Sequence, residues 1–130
     1  YEFKKFLRES YRVLKKNGIN IIATPSIEKI SKISYGTNNK QKEILFTRQD
    51  KWIGKFKKTP AMQINLTMRN FGHRFIYDLE TISFLAKEIG FRSVESVEAN
   101  KLIDEDIKEF IFKTKPELWH LETEIFIIKK

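Results

Sequence analysis

The sequence contains no cysteine and has only two histidines, five glycines and three prolines in 130 residues. The absence of cysteine excludes disulfides, thiolate metal sites and a cysteine nucleophile, and two histidines offer little material for a metal site. The glycines form neither a GxGxxG fingerprint nor a Walker motif, so the sequence carries no phosphate-binding glycine loop. No apolar run approaches the roughly 20 residues that cross a bilayer. We therefore expect a single cytoplasmic domain over residues 1–130, without a metal site.

The chain is basic, with a formal net charge of +8. A charge of this sign attracts nucleic acid, phosphates or anionic lipid. Lysine, isoleucine and asparagine are all abundant and the lysines are spread along the chain, so the base composition of an AT-rich genome also explains the charge. The densest basic stretch, Lys51 to Lys58, interleaves cations with aromatic residues and is the best candidate for a nucleic-acid or acidic-partner patch.

A helix followed by a short apolar strand opens the chain. Apolar residues recur at helical spacing from about Glu2 to Lys16, and Asn17-Gly18 is typical of a helix end at which glycine adopts a positive φ. Ile19 to Ala23 is almost continuously apolar, which is typical of a strand covered on both faces, as in parallel sheets. Such a strand is not expected at the outside of a sheet, so it requires neighbours on both edges.

Local signals predict the remaining elements. Ser26 and Asp78 are expected as helix N-caps, Pro60 as a first helical residue, and Gly90 as the end of the helix that Asp78 begins. The other elements predicted are helices over 42–52 and from 104, an edge or bulged strand over 93–98, and a β-branched strand over 122–129. The helical insertion over about 26–75 follows the first strand, where insertions often cover a binding crevice.

The loop from Phe71 to Asp78 is dense in aromatic and ionisable groups. His73 and Tyr77 can line a substrate site as hydrogen-bond donors, with His73 as a general base. Alternatively the aromatic side chains of this loop pack, and Asp78 only caps the helix that follows. The residues alone leave both interpretations open.

Four segments, in order, resemble class I S-adenosylmethionine-dependent methyltransferases. Residues 6–18 (FLRESYRVLKKNG) resemble the helix-turn that precedes the fifth strand of that family, and Ala23-Thr24-Pro25 resembles the end of that strand. Residues 71–78 (FGHRFIYD) with the helix up to Gly90-Phe91, and residues 115–122 (KPELWHLE), resemble two blocks of a subgroup of predicted methyltransferases. The resemblance covers nearly the whole chain.

This resemblance implies an α/β class and a partial Rossmann-like methyltransferase fold. The chain is expected to be the C-terminal half, with the last three strands and the final strand antiparallel between the other two. The groups that bind S-adenosyl-L-methionine lie in the first half of that family, so the complete protein is the enzyme and this chain alone is expected neither to bind the cofactor nor to be active. The resemblance implies that Thr24, Arg74 and Tyr77 contact the methyl acceptor, with His73 as the candidate base. It favours a small molecule or a saccharide as acceptor over nucleic acid.

The first strand then lacks its fourth-strand neighbour, and an open apolar edge is a template for pairing. We expect self-association through this edge or by exchange of the first helix, or binding to the missing N-terminal half. The sequence begins at Tyr1 and not at Met, so a processed product or a portion of a longer protein is expected. The alternatives are a non-enzymatic binding module that uses residues 51–58 to hold nucleic acid or an acidic partner, and an inactive fragment.

Overall fold

A computed structural model describes residues 2–47, 57–69, 72–98, 101–102, 105–114 and 121–130. Within these ranges the chain is an α/β protein with six helices and a three-stranded antiparallel sheet. Its elements are α1 (Glu2–Val13), β1 (Ile19–Pro25), α2 (Ile27–Tyr35), α3 (Asn39–Thr47), α4 (Pro60–Arg69), α5 (Leu79–Ile89), β2 (Ser93–Val97), α6 (Glu105–Thr114) and β3 (Thr123–Lys129). None of the described helices has the length and apolar character that a membrane crossing requires.

The last strand occupies the centre of the sheet. The strand order is β1-β3-β2, and β3 pairs antiparallel with both neighbours. Phe126 of β3 lies opposite Ile22 on one side and Ser96 on the other, so β1 and β2 run in the same direction. The expectation of a final strand antiparallel between the other two is confirmed, as is the position of β2 at an edge.

β1 was expected to lie inside a sheet, but within the described chain it is an outer strand. It pairs with β3 alone, and its first residue, Ile19, is 46% exposed. The centre belongs to β3, whose Ile125, Phe126 and Ile128 are buried. That expectation came from the apolar pattern alone. The resemblance implied instead that β1 lacks one neighbouring strand in this chain, which agrees with the described sheet. In the described part of the chain, β1 therefore retains one open edge.

Alternate residues of β3 point to two apolar clusters, as the two-residue period of a strand requires. Phe126 and Ile128 pack with residues of α1 and α5 and with Phe91, in a cluster that we call the sheet core. The buried members of the sheet core are Leu7, Ile82, Ala86, Phe91, Phe126 and Ile128. On the opposite face, Ile125 packs with Leu102 and is flanked by Ile107. β3 is thus the strand that is covered on both faces.

The turn between α1 and β1 differs from its prediction in two details. α1 ends at Val13 instead of Lys16, and the Lys130 ammonium donates hydrogen bonds to the carbonyl oxygens of Tyr11 and Leu14 at this helix end. The positive φ of 64° belongs to Asn17 and not to Gly18, since asparagine tolerates the left-handed region. Gly18 is needed for a different reason, because a Cβ there would lie 2.9 Å from the carbonyl oxygen of Lys15.

The predicted helix ends at Ser26, Asp78 and Gly90 are confirmed. The hydroxyl of Ser26 accepts a hydrogen bond from the Lys29 amide at 3.4 Å, and the carboxylate of Asp78 accepts one from the Thr81 amide at 2.8 Å. Gly90 ends α5 in the left-handed conformation, with φ of 111°. The predicted helix start at Pro60 is also confirmed.

Three helices, α2 to α4, form the insertion between β1 and the loop before α5. α2 packs against both α3 and α4. α3 begins at Asn39, earlier than the predicted 42, because the Asn38 side chain accepts a hydrogen bond from the Gln41 amide at 3.1 Å. The predicted continuation to 52, the cap expected at 104 and the segment 115–120 lie outside the described residues, as does most of the basic stretch 51–58.

Candidate functional site

The main candidate site is a cavity where β1 ends and two helices begin. α2 begins directly after β1, and α5 begins after the 72–78 loop, which has neither helix nor strand. A cavity of about 520 Å³ lies between the first turns of these helices. Its lining residues are Ser26, Ile27, Glu28, Ile76, Tyr77, Asp78, Leu79, Glu80 and Glu124. The cavity therefore combines the carboxyl end of β1 with the start of the insertion and the aromatic loop.

Tyr77 is the aromatic residue of the cavity wall. Its ring lies 4.1 Å from that of Phe3 in α1 and 4.7 Å from that of Phe75, centroid to centroid. Burial of the phenol raises the pKa of Tyr77 above its ordinary value, and the nearby Glu2 carboxylate adds to the effect. The Tyr77 hydroxyl thus stays protonated at neutral pH and can donate a hydrogen bond to a ligand.

Asp78 follows Tyr77 and fixes the start of α5. Its hydrogen bonds with the Thr81 hydroxyl and amide lower the pKa of its carboxyl group below the ordinary value. The carboxylate is therefore ionised at neutral pH, next to the positive end of the helix dipole. Since this carboxylate accepts its hydrogen bond from the first turn of α5, Asp78 fixes the residue at which the loop ends and the helix begins.

Glu124 links the three strands at the cavity floor. One oxygen of its carboxylate accepts a hydrogen bond from the Ser26 hydroxyl at 3.3 Å, and the other accepts one from the Ser96 hydroxyl at 2.9 Å. Ser26 follows β1, Glu124 lies in β3 and Ser96 lies in β2. The Lys29 ammonium also donates to the carbonyl oxygen of Thr123, at 2.9 Å. These bonds hold the end of the sheet and the start of α2 in one arrangement.

The cavity is acidic, although the chain as a whole is basic. Four of the lining residues carry carboxylates, and none of the lining residues is lysine, arginine or histidine. The wall also contains three aliphatic side chains, Ile27, Ile76 and Leu79. Such a wall offers hydrogen-bond acceptors and apolar contacts, and it disfavours anionic ligands because like charges repel.

The residues predicted from the sequence lie near this cavity, but they do not all line it. Tyr77 is part of the wall, whereas Thr24, His73 and Arg74 are not among the lining residues. Thr24 is buried near the end of β1, opposite Glu124 of β3, and Arg74 is exposed in the loop. His73 is half-buried in the same loop. The roles assigned to these four residues stay predictions.

Sequence reasoning missed the contributions of Glu28 and Glu124. A polar residue near the start of an otherwise apolar strand was the available signal for Glu124. That signal places Glu124 near the site only if Glu124 is known to pair with Thr24, a residue far away in the sequence. Glu28 follows the predicted cap Ser26 by two residues, and no signal in the sequence indicates that it lines a cavity.

Neither a metal site nor a known relative identifies the ligand of this cavity. In the part of the chain that the structure describes, no group of three or more histidine, aspartate or glutamate residues is placed to hold a metal ion. No protein-family model matches the sequence, and no curated protein or solved structure matches the chain. The methyltransferase resemblance therefore depends on the sequence motifs, and the structure can be compared only with what that resemblance implies.

Proposed function

We propose that this chain is the C-terminal, substrate-side portion of an S-adenosylmethionine-dependent methyltransferase. The strand order β1-β3-β2 carries the proposal, because it is the arrangement that the sequence resemblance implies. The last strand lies antiparallel between two strands that are parallel to each other. Strands that follow each other in sequence are usually neighbours in a sheet, so a sheet in which β3 separates β1 from β2 is an uncommon order that the resemblance predicted.

The position of the cavity also supports the proposal. Ligands of open α/β sheets bind beyond the carboxyl ends of the strands. The cavity lies beyond the carboxyl end of β1, and the insertion and the 72–78 loop supply its walls. The acceptor of the methyl group is expected in this cavity, as a small molecule or a saccharide.

The residues of this chain do not fit a cofactor site. β1 ends at Pro25 and is followed by Ser26 and the start of α2, without a glycine-rich turn, and the sequence contains no such motif elsewhere. S-adenosyl-L-methionine, the methyl donor of the family, is therefore expected to bind mainly outside these 130 residues. The role proposed for this chain is to hold and orient the acceptor, because proximity and alignment supply much of the rate of a group transfer.

Within this role, the Tyr77 hydroxyl donates a hydrogen bond to the acceptor. Thr24 orients it through a hydroxyl or carbonyl contact, and Arg74, which lies outside the acidic cavity wall, contacts any anionic group that the acceptor carries away from that wall. His73 removes a proton from the acceptor if its nucleophile is a hydroxyl or an amine. The cavity wall includes only Tyr77 of these four.

Calorimetry with S-adenosyl-L-methionine tests whether the cofactor binds outside this chain. The 130-residue chain is expected to give no measurable heat of binding, and micromolar affinity would contradict the proposal. The chain extended upstream of Tyr1 through its natural reading frame is expected to contain a glycine-rich loop after a hydrophobic strand, and to bind the cofactor. An extended protein without cofactor affinity would refute the assignment.

A methyl-transfer assay on the extended protein, with labelled cofactor and pooled small-molecule extracts, then tests the acceptor site. Tyr77→Phe removes the hydroxyl and keeps the ring contact with Phe3. We expect it to raise the KM for the acceptor and to leave cofactor affinity unchanged. Tyr35→Phe is the matched control, because Tyr35 is exposed at the end of α2. Equal effects of the two variants would remove Tyr77 from the site.

A further inference from the structure

The two edges of the sheet differ in how they are protected against pairing. Edge strands are commonly blunted by short length or by charged residues. β2 has five residues and carries Glu95 at its centre, where the side chain is exposed. β1 has seven residues, Ile19–Pro25, and none of them is charged. Among the residues that the structure describes, no strand pairs with the outer edge of β1, which is therefore open to another strand, whereas that of β2 is protected.

The residues that flank β1 carry opposite charges at its two ends, and these charges favour one direction for a pairing strand. Lys15 and Lys16 precede β1 and are exposed. Glu28 is exposed just beyond its other end, beside the acidic cavity wall that includes Glu124. β1 thus runs from a basic end to an acidic end, about 20 Å apart at 3.3 Å per residue.

We propose that two copies of this chain pair antiparallel through β1, about a twofold axis, to form one continuous six-stranded sheet. An isologous contact of this kind places the basic end of one β1 beside the acidic end of the other. Lys16 lies in the turn just before β1 and Glu28 in the first turn of α2 just after it, so the lysine of one copy lies at the same end of the paired strands as the glutamate of the other. Parallel pairing of two copies would instead place like charges together. The same operation on β2 would oppose two Glu95 carboxylates.

The pairing goes beyond the proposed function and does not depend on it. It satisfies the backbone N–H and C=O groups along the open edge of β1, and it covers the exposed part of Ile19. In a longer protein of the kind proposed above, a strand of the cofactor-binding half would compete for the same edge. The inference concerns the 130-residue chain.

Sedimentation equilibrium of the 130-residue chain over a series of concentrations tests the pairing. A dimer that dissociates on dilution is expected. Ala23→Lys places a charge at an exposed position of β1, and we expect it to weaken the dimer by about tenfold or more. Ser93→Lys is the control, since it adds the same charge at an exposed position of β2 and is expected to leave the dimer unchanged. Circular dichroism verifies that both variants fold.

Charge reversal tests the antiparallel direction. Lys16→Glu and Glu28→Lys are each expected to weaken the dimer, by up to about thirtyfold if each of two symmetric contacts contributes up to about 1 kcal/mol. The double variant restores opposite charges across an antiparallel contact, so it is expected to recover the affinity. Failure of the double variant to recover excludes the antiparallel arrangement. A chain that is monomeric at every concentration, or a dimer that Ser93→Lys weakens as much as Ala23→Lys, overturns the pairing and leaves the proposed function untouched.

Discussion

The sheet core and the insertion bury different kinds of side chain. The buried members of the sheet core are all apolar, and the sheet around it holds one buried side-chain atom without a hydrogen-bond partner among the described residues, the amide nitrogen of Asn20 in β1. The insertion also buries apolar residues, among them Ile30 and Leu45, but Ser34, Gln63 and Thr67 are buried with them. The Ser34 hydroxyl and both polar atoms of the Gln63 amide lack a hydrogen-bond partner in the described structure. A buried polar group without a partner costs free energy, so we infer that the stability of the fold comes mainly from the sheet core.

The strongest test of this contrast is a cavity in the sheet core. Phe126 is fully buried at the centre of β3, and Phe126→Ala is expected to lower the free energy of unfolding by about 3 to 5 kcal/mol. Phe84→Ala is the control, because Phe84 is 64% exposed on α5 and its removal is expected to cost within about 0.5 kcal/mol. Urea unfolding measures both. Similar losses for the two variants would show that the sheet core does not dominate.

Removal of the Lys130 ammonium is expected to cause the next largest loss in the free energy of unfolding. It leaves the carbonyl oxygens of Tyr11 and Leu14 without this partner, and it ends the contact with the Tyr11 ring at 4.4 Å. Lys130→Met is expected to cost about 2 kcal/mol, the usual range for hydrogen bonds to a charged group. Lys129→Met provides the control, since Lys129 bridges Glu95 at a half-exposed site and such pairs contribute about 0 to 1 kcal/mol. Thermal unfolding should rank Lys129→Met as the milder change, and the reverse order would remove the capping role of Lys130.

The insertion should respond in the opposite direction. Gln63→Leu replaces an unpartnered buried amide with an apolar group of similar size, so we expect a gain of about 1 to 2 kcal/mol in the free energy of unfolding. Gln41→Leu, at a half-exposed position of α3, is expected to change stability little. A loss of stability in Gln63→Leu would mean that water or a ligand satisfies the amide, and the contrast between the two regions would then fail.

The smallest effect is expected at the junction of the two regions, where Asp78 caps α5. Asp78→Ala should cost about 1 kcal/mol, whereas Asp78→Asn keeps a capping side chain and should cost less. The pKa of Asp78 is lower in the folded chain than its ordinary value. Its charge therefore stabilises the fold above about pH 4 and loses this effect as the pH falls through the lowered pKa.

Melting temperatures at neutral pH and at about pH 3 measure this contribution, because the acid loss must shrink in Asp78→Asn. An equal acid loss in both proteins would mean that other carboxylates account for all of it.

The sequence predicts local features better than the order of the strands. The cap at Asp78 and the stop at Gly90 depend on neighbouring residues, and both were predicted correctly. The apolar run in β1 indicates burial but not which strand lies next to it, so the pattern alone predicted a central strand, whereas the resemblance implied that β1 lacks one neighbour in this chain. Only the family resemblance anticipated that β3 lies between β1 and β2. The carboxylate of Glu124 was missed because its neighbours Ser26 and Ser96 are distant in the chain.

The central position of β3 also determines when the sheet can form. β1 and β2 do not pair with each other, and both depend on a strand that follows them in the chain. During synthesis neither strand has a partner in this chain until β3 leaves the ribosome. The long sequence separation between β1 and β3 predicts slow folding, because loop closure precedes the contacts that stabilise it. An unfinished chain thus presents two unpaired strands, which makes the synthesis of this protein the period of its greatest exposure to aggregation.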